Sequence, residues 1–261
     1  MTGTAPVAII TGGSGGLAPG LAIALVRSGC RIVLTARGAD ALDRTAWDIA
    51  AQTGGELTVI ASDATDSVSV KALAAAVLDR FGRIDILVNA AASSTPIGGP
   101  IEAIDVKALI GDVDTKVGGY LRYAQAVVPA MKTAGTGSIV NIGGLTGRSS
   151  DTLSGLRNAA VSHLTKVLAD ELGPFGIRVN AIHPGILQTP HLDELFAGMA
   201  AERGCTVDDI RAEFVADIPA RRILSPDEIG EAVGFLATPG GASITGQSIT
   251  VDGGYSRGVY L

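Results

Sequence analysis

"TGGSGGLA", residues 11–18, decides the fold. It follows a short apolar run, "VAIIT" at 7–11, and leads into a helical pattern that continues through Val26. Glycines at a strand-to-helix junction allow a tight turn and a close backbone approach. The helix start beyond them offers unpaired N–H groups to a pyrophosphate. A glycine-rich turn that binds nothing has the same composition. Position separates the two readings, because this stretch joins the first strand to the first helix of an alternating chain.

The alternation runs outward from that point. Strand-like runs fall at 7–11, 31–36, 57–63, 84–90, 137–143 and 177–185, with a last strand in "QSITVDGG" (247–254). Helical patterns lie between them: 39–52, 68–82, most of 104–133, 153–172, one or two helices over 191–217, and 225–237. The strands are continuous apolar runs, the pattern of burial on both faces. Regular strand–helix alternation then predicts an α/β fold: a doubly wound, mostly parallel seven-stranded sheet, Rossmann-like, with helices on both faces. No composition break, linker or repeat interrupts residues 1–261, so one domain is expected, with a substrate lid at about 190–222.

Composition narrows the function. A hydrophobic content of 47% against 18% charged residues is that of a folded chain. The net charge of -6 and the lack of a Lys/Arg block argue against a nucleic-acid partner. No apolar stretch approaches the ~18 residues of a membrane span. The start "MTGTAPVAII" has no basic region of the kind that opens a signal peptide. The two cysteines, Cys30 and Cys205, have no metal-site spacing, and a reduced cytoplasmic setting is expected.

The end of the second strand reads "TARG". An NAD-preferring site places an Asp or Glu there for the ribose hydroxyls, whereas this chain has Ala36 and then Arg37. A guanidinium suits a 2′-phosphate, so NADPH/NADP is expected ahead of NAD. A surface arginine with no ligand remains the other reading. Asp63 closes the third strand and is placed to accept from an adenine amino group. Its alternative duty is helix capping, which Asp66 or Thr65 could equally perform.

With these motifs in order, the sequence resembles a short-chain dehydrogenase/reductase along nearly its whole length. "TGGSGGLA" matches that family's Thr-Gly-x-x-x-Gly-x-Gly, with Ala18 at the third glycine. "LVNAAA" (87–92) stands at its Leu-Val-Asn-Asn-Ala-Gly, and "GSIVNI" at its fifth strand. "GIRVNAIHPGILQT" matches the sixth strand and the Pro-Gly-x-x-x-Thr over the nicotinamide, and "ITGQSITVDGG" the closing strand. The resemblance implies that Gly12, Ser14, Gly15, Gly16, Leu17, Arg37, Asp63, Ala64, Asn89, Ala90, Pro184, Gly185, Ile186 and Thr189 line the cofactor. It also implies a small-molecule substrate and a homotetramer or homodimer paired through the helices at 104–133 and 153–172.

The catalytic positions depart from the family. A Tyr and a Lys four residues later belong on the helix after the fifth strand, with a Ser near that strand's end. A phenol of pKa ~10 needs a nearby ammonium to exchange protons at neutral pH. Aligned from its downstream end, the helix places Ser154 at the tyrosine position and Asn158 at the lysine position. Gly143 and Gly144 replace the serines. Aligned from the strand end, it gives Arg157 and Val161, so the Tyr–Lys pair is missing in either register.

In "DTKVGGYLRYAQAVVPAM" (114–131), Lys116 falls where the family has an asparagine that helps hold water near the catalytic lysine. It is placed to fill the space beside Asn158 and restore the charge; otherwise it is a solvated helix lysine. The resemblance extends to a divergent branch that pairs this Asp-Thr-Lys with an Asn-Ala-Ala, here "NAA" at 158–160. Lys116, Ser154 and Asn158 are therefore the catalytic candidates. Lys116 is able to act as an acid if burial lowers its pKa. Tyr120 and Tyr123 are alternatives that also read as packing residues, and Thr146 and Ser149 are weaker ones. Arg157 is read as facing solvent or a subunit contact, and His183 as structural.

The expected function is NAD(P)-dependent oxidoreduction of a carbonyl/alcohol pair. A non-redox isomerase or lyase, or a cofactor-binding protein without turnover, is the alternative, since fold alone does not decide among these.

Overall fold

A computed structural model describes residues 5–92, 97–148 and 152–258. Seven strands form one sheet: β1 (Val7–Thr11), β2 (Arg31–Thr35), β3 (Leu57–Val59), β4 (Ile86–Asn89), β5 (Gly137–Ile142), β6 (Ile177–Pro184) and β7 (Ser248–Val251). Their order is β3-β2-β1-β4-β5-β6-β7, and all six pairings are parallel. The chain's direction of winding reverses between β1 and β4. The crevice for a ligand opens there, beyond the carboxyl ends of the strands.

β1, β4 and β5 are buried along their whole length, which explains their unbroken apolar sequences. β3 is shorter than the expected 57–63, although Ile60 N and Ser62 N still donate to Leu34 O and Ala36 O at 3.1 and 3.0 Å. One face of the sheet packs against helices α1 (Ala18–Arg27), α2 (Ala39–Thr53) and α9 (Pro226–Ala237) through Leu21, Leu25, Ile49 and Val233. The other packs against α3 (Ser67–Phe81), α5 (Gly119–Ala134) and α6 (Gly155–Leu172) through Leu73, Val127, Met131 and Leu172.

The helical region expected over 104–133 is divided. α4 (Val106–Val113) runs into a single π turn, Asp114–Gly118, before α5 begins. Gly119 N donates to Asp114 O five residues back, which marks the extra residue wound into the turn. The 191–217 region holds two helices, α7 (Pro190–Arg203) and α8 (Val207–Asp217), which share a small apolar cluster around Leu192, Phe196 and Ile210. α9 begins with the capping box expected from "SPDE": Glu228 N donates to Ser225 Oγ, and Ser225 N to the Glu228 carboxylate. Among the described residues, no helix is long and apolar enough to cross a membrane, and no cluster of potential metal ligands occurs.

Candidate active site

Two cavities meet at the reversal point. The first, of about 330 Å³, lies over β1, β2 and β4 and is lined by Gly12, Ser14, Gly15, Arg37, Asp63 and Ala64, among others. The second, of about 1070 Å³, holds Leu17, Lys116, Gly143, Pro184, Gly185 and Ile186 in its wall. Ala90 and Ala92 border both. An elongated ligand such as a dinucleotide would span this pair of adjoining chambers.

The first chamber has the features that such a ligand requires. Gly12 has φ +67, and a Cβ there would come within 2.7 Å of Ala90 O. Only glycine therefore lets the β1 turn pass under the 90–92 strand end. α1 begins after Leu17 with no side-chain cap. Ala18 N donates to Gly15 O at 3.0 Å and Pro19 has no N–H, so only the remaining N–H groups of this turn are left for a pyrophosphate. Arg37 is exposed at the rim of this chamber, with an alanine rather than a carboxylate beside it. Asp63 is not the helix cap: Asp66 caps α3 by accepting from Val68 N at 2.8 Å. Asp63 accepts from Thr65 N and Thr65 Oγ1 at 2.9 and 2.8 Å, and these bonds hold its carboxyl below the usual range. Tyr123 also reaches this chamber, with its hydroxyl 3.1 Å from Ser62 Oγ, which the sequence did not distinguish from a packing role.

Three expected cofactor residues lie elsewhere. Asn89 lines neither cavity. It is fully buried in the sheet, its Nδ2 donating to Asn141 Oδ1 at 2.9 Å, while Asn141 Nδ2 donates to Thr165 Oγ1 at 3.0 Å. Gly16 and Thr189 face each other outside both linings: a Cβ on Gly16 would stand 3.2 Å from Thr189 Cγ2. Thr189 Oγ1 accepts from Leu192 N and so caps α7.

In the second chamber the π turn delivers Lys116. Its Nζ donates to Gly143 O and to Asn158 Oδ1, both at 2.8 Å, and the residue is only 4% exposed. Asn158 Nδ2 in turn donates to Thr146 Oγ1 at 2.7 Å. Burial, followed by the nearby Arg157 cation, lowers the Lys116 pKa to about 7, against a smaller opposing effect of Asp112. The ammonium carries three protons. Two are committed, and the third is available to the cavity that Lys116 lines.

The two glycines at the serine positions have a physical reason. A Cβ on Gly143 would lie 2.4 Å from the His183 ring, and one on Gly144 2.8 Å from Asn158 Nδ2. His183 is buried, with Nε2 2.9 Å from Ser162 Oγ and Nδ1 close to Gly144, a structural placement. Tyr120 is also structural. Its hydroxyl donates to Ile142 O at 2.9 Å, and burial pushes its pKa far upward.

Two expectations are corrected here. Ser154 is not on the cavity wall. It precedes α6, and its hydroxyl accepts from Ile97 N at 2.9 Å, tethering the 97–98 segment. Arg157 does not face solvent. It lines the second chamber, and its Nη1 is paired with Asp112 Oδ1, a carboxylate that is itself buried. The apolar positions flanking Arg157 at Leu156 and Val161 gave no sign of this, because the partner lies 45 residues earlier. Ser149 falls outside the described residues.

A family model described as enoyl-(acyl carrier protein) reductase matches residues 12–256, nearly the whole chain. The chain belongs to the short-chain dehydrogenase/reductase family. Among relatives of this short-chain dehydrogenase/reductase is a Streptomyces virginiae protein named as a ketoacyl reductase of the monensin polyketide synthase. It is 35% identical over 96% of this chain and 97% of its own. Among solved structures, L-sorbose reductase from Gluconobacter frateurii, complexed with NADPH and L-sorbose, has a TM-score of 0.91 at 26% identity and covers 98% of both chains. NAD+-bound xylitol dehydrogenase has a TM-score of 0.87, also at 26% identity, over 95% of this chain and 98% of that one. The protein is thus an NAD(P)-dependent dehydrogenase/reductase-like enzyme.

Proposed function

We propose that the enzyme interconverts a carbonyl and an alcohol with NADPH in preference to NADH, and that Lys116 handles the proton. The observation that carries this reading is the Lys116 ammonium, buried yet lining the cavity, with two of its donors fixed by Gly143 O and Asn158 Oδ1. When bound, the nicotinamide supplies or accepts a hydride at the substrate carbon.

The residues of this chain supply the rest. Gly12, Ser14, Gly15 and the α1 start hold the pyrophosphate, Arg37 pairs with the 2′-phosphate, and Pro184–Ile186 border the nicotinamide side. In reduction, Lys116 gives its third proton to the carbonyl oxygen, forming the alcohol O–H as its own N–H breaks. The neutral amine then regains a proton from solvent. Asn158 is a positioning residue that holds Nζ, and Thr146 holds Asn158. α6 spans Gly155–Leu172 without a tyrosine, so the phenol's role passes to the lysine in this reading.

The test is Lys116→Ala assayed with a carbonyl panel, alongside fluorescence titration of NADPH. Turnover should fall by at least about 100-fold, the size of an acid–base contribution, while NADPH affinity stays within a few-fold. Unchanged turnover removes Lys116 from the mechanism. Absence of NADPH binding removes the reductase reading altogether.

A further inference from the structure

We propose that the second cavity takes a substrate bearing a carboxylate, received by Arg157 while the carbonyl oxygen lies at Lys116. The proposal rests on the reading of Lys116 given above and names the substrate class for that site.

The two cations are held by adjacent positions on the same two segments. Arg157 directly precedes Asn158, which grips Lys116 Nζ. Asp112, which grips Arg157, lies four residues before Lys116, just ahead of the π turn. Both cations line the same chamber. A substrate touching both therefore has its carbonyl and its anionic group close together.

The guanidinium is incompletely used. Of its five N–H donors, hydrogen bonding among the described residues involves only Nη1. Among the described residues, Nε and Asp112 Oδ2 have no partner and are sealed from solvent, whereas Nη2 is neither bonded nor sealed. Nη2 is therefore the donor able to meet a carboxylate in the chamber, with Nε on the same edge joining only if the side chain shifts. A ligand carboxylate on Nη2 would give this cavity-lining guanidinium a second partner beyond Asp112. The charge count agrees. With Lys116 protonated, the cations Lys116, Arg157 and Arg257 stand against the carboxylates of Asp112 and Asp217, leaving a net single positive charge in a chamber whose wall also includes Ile142, Leu145, Leu187 and Phe214. An apolar wall strengthens that charge's pull on an anion. A mere structural brace would need no place on the cavity wall.

The test uses 2-, 3- and 4-oxopentanoate, each against its methyl ester, with NADPH and the wild-type enzyme. For at least one spacing, kcat/KM should favour the acid by about 10–100-fold, the range of a charge-assisted hydrogen-bond pair. Arg157→Gln alone would strand the Asp112 charge, so the Asp112→Asn/Arg157→Gln double variant is the informative one. Its acid-to-ester ratio should fall to near one, and Arg157→Lys should give an intermediate ratio. Retained thermal unfolding and NADPH affinity would show that the fold survives. Calorimetric titration of 4-hydroxypentanoate and its methyl ester reads the same preference without turnover. Equal handling of acid and ester by the wild type, or a ratio untouched in the double variant, overturns the proposal while leaving the reductase reading standing. Preferential uptake of the hydroxy acid with no NADPH oxidation would support the anion site and count against the reductase.

Discussion

At the residue scale, the site is a set of compensations. Lys116 enters from the π turn where α6 offers Asn158 instead of a cation, and Gly143 and Gly144 are vacated because His183 and Asn158 occupy their side-chain space. The lowered Lys116 pKa has a directional consequence. In the proposed mechanism reduction needs the protonated form, so its kcat/KM should fall as pH rises through about 7, whereas oxidation should gain over the same range. A pH–rate profile in both directions checks this, and a reduction rate that is flat from pH 6 to 9 would contradict it. At the other end of the cofactor, Arg37→Ala should weaken NADPH far more than NADH. Equal losses by fluorescence titration would overturn the 2′-phosphate assignment. The Arg37 expectation rests on local chemistry, since "TARG" lacks the acid of an NAD-preferring site. Arg157 was illegible, because its meaning comes from Asp112, which no sequence period connects to it.

At the element scale, the clearest sequence signals were the ones completed within a few residues. "SPDE" predicted the α9 capping box because donor and acceptor lie three residues apart. The π turn was hidden, since "DTKVG" has no propensity that distinguishes it from ordinary helix. Also hidden was the crossing of α1 and α9, where backbones meet directly. A Cβ on Gly230 would lie 2.1 Å from Gly20 O, and one on Gly20 2.3 Å from Pro226 O. Neither contact has a flexible side chain to yield. Gly230→Ala should therefore cost about 2 kcal/mol or more, read as a lower midpoint in urea unfolding. A neutral substitution would mean that the two helices are able to separate freely.

At the scale of the whole molecule, a doubly wound, mostly parallel seven-stranded sheet was legible from the strand–helix alternation, and in the structure all six pairings are parallel. What the sequence could not give was the shared wall at Ala90 and Ala92, which is a matter of three-dimensional assembly. A ligand spanning both chambers ties β1, β2, β4 and β6 loops together. NADPH at 100 times its Kd should add about 2.7 kcal/mol to stability. For a chain of this size, that corresponds to a melting-temperature rise of roughly 5–10 °C. No rise at saturating NADPH would argue against a native-state site. The subunit pairing that the resemblance implies would cover the groove between α5 and α6, which includes Leu121, Val128 and Leu168. Sedimentation velocity should find a dimer or tetramer, and a monomer at micromolar concentration would refute it.

The π turn gives the enzyme a counting problem. Before it and after it, the helix runs in two phases, offset by the odd residue, and Lys116 sits on the offset. Losing a single residue there would restore an unbroken spiral and swing the lysine by about 100°. Length and chemistry in this segment must therefore be inherited as one unit.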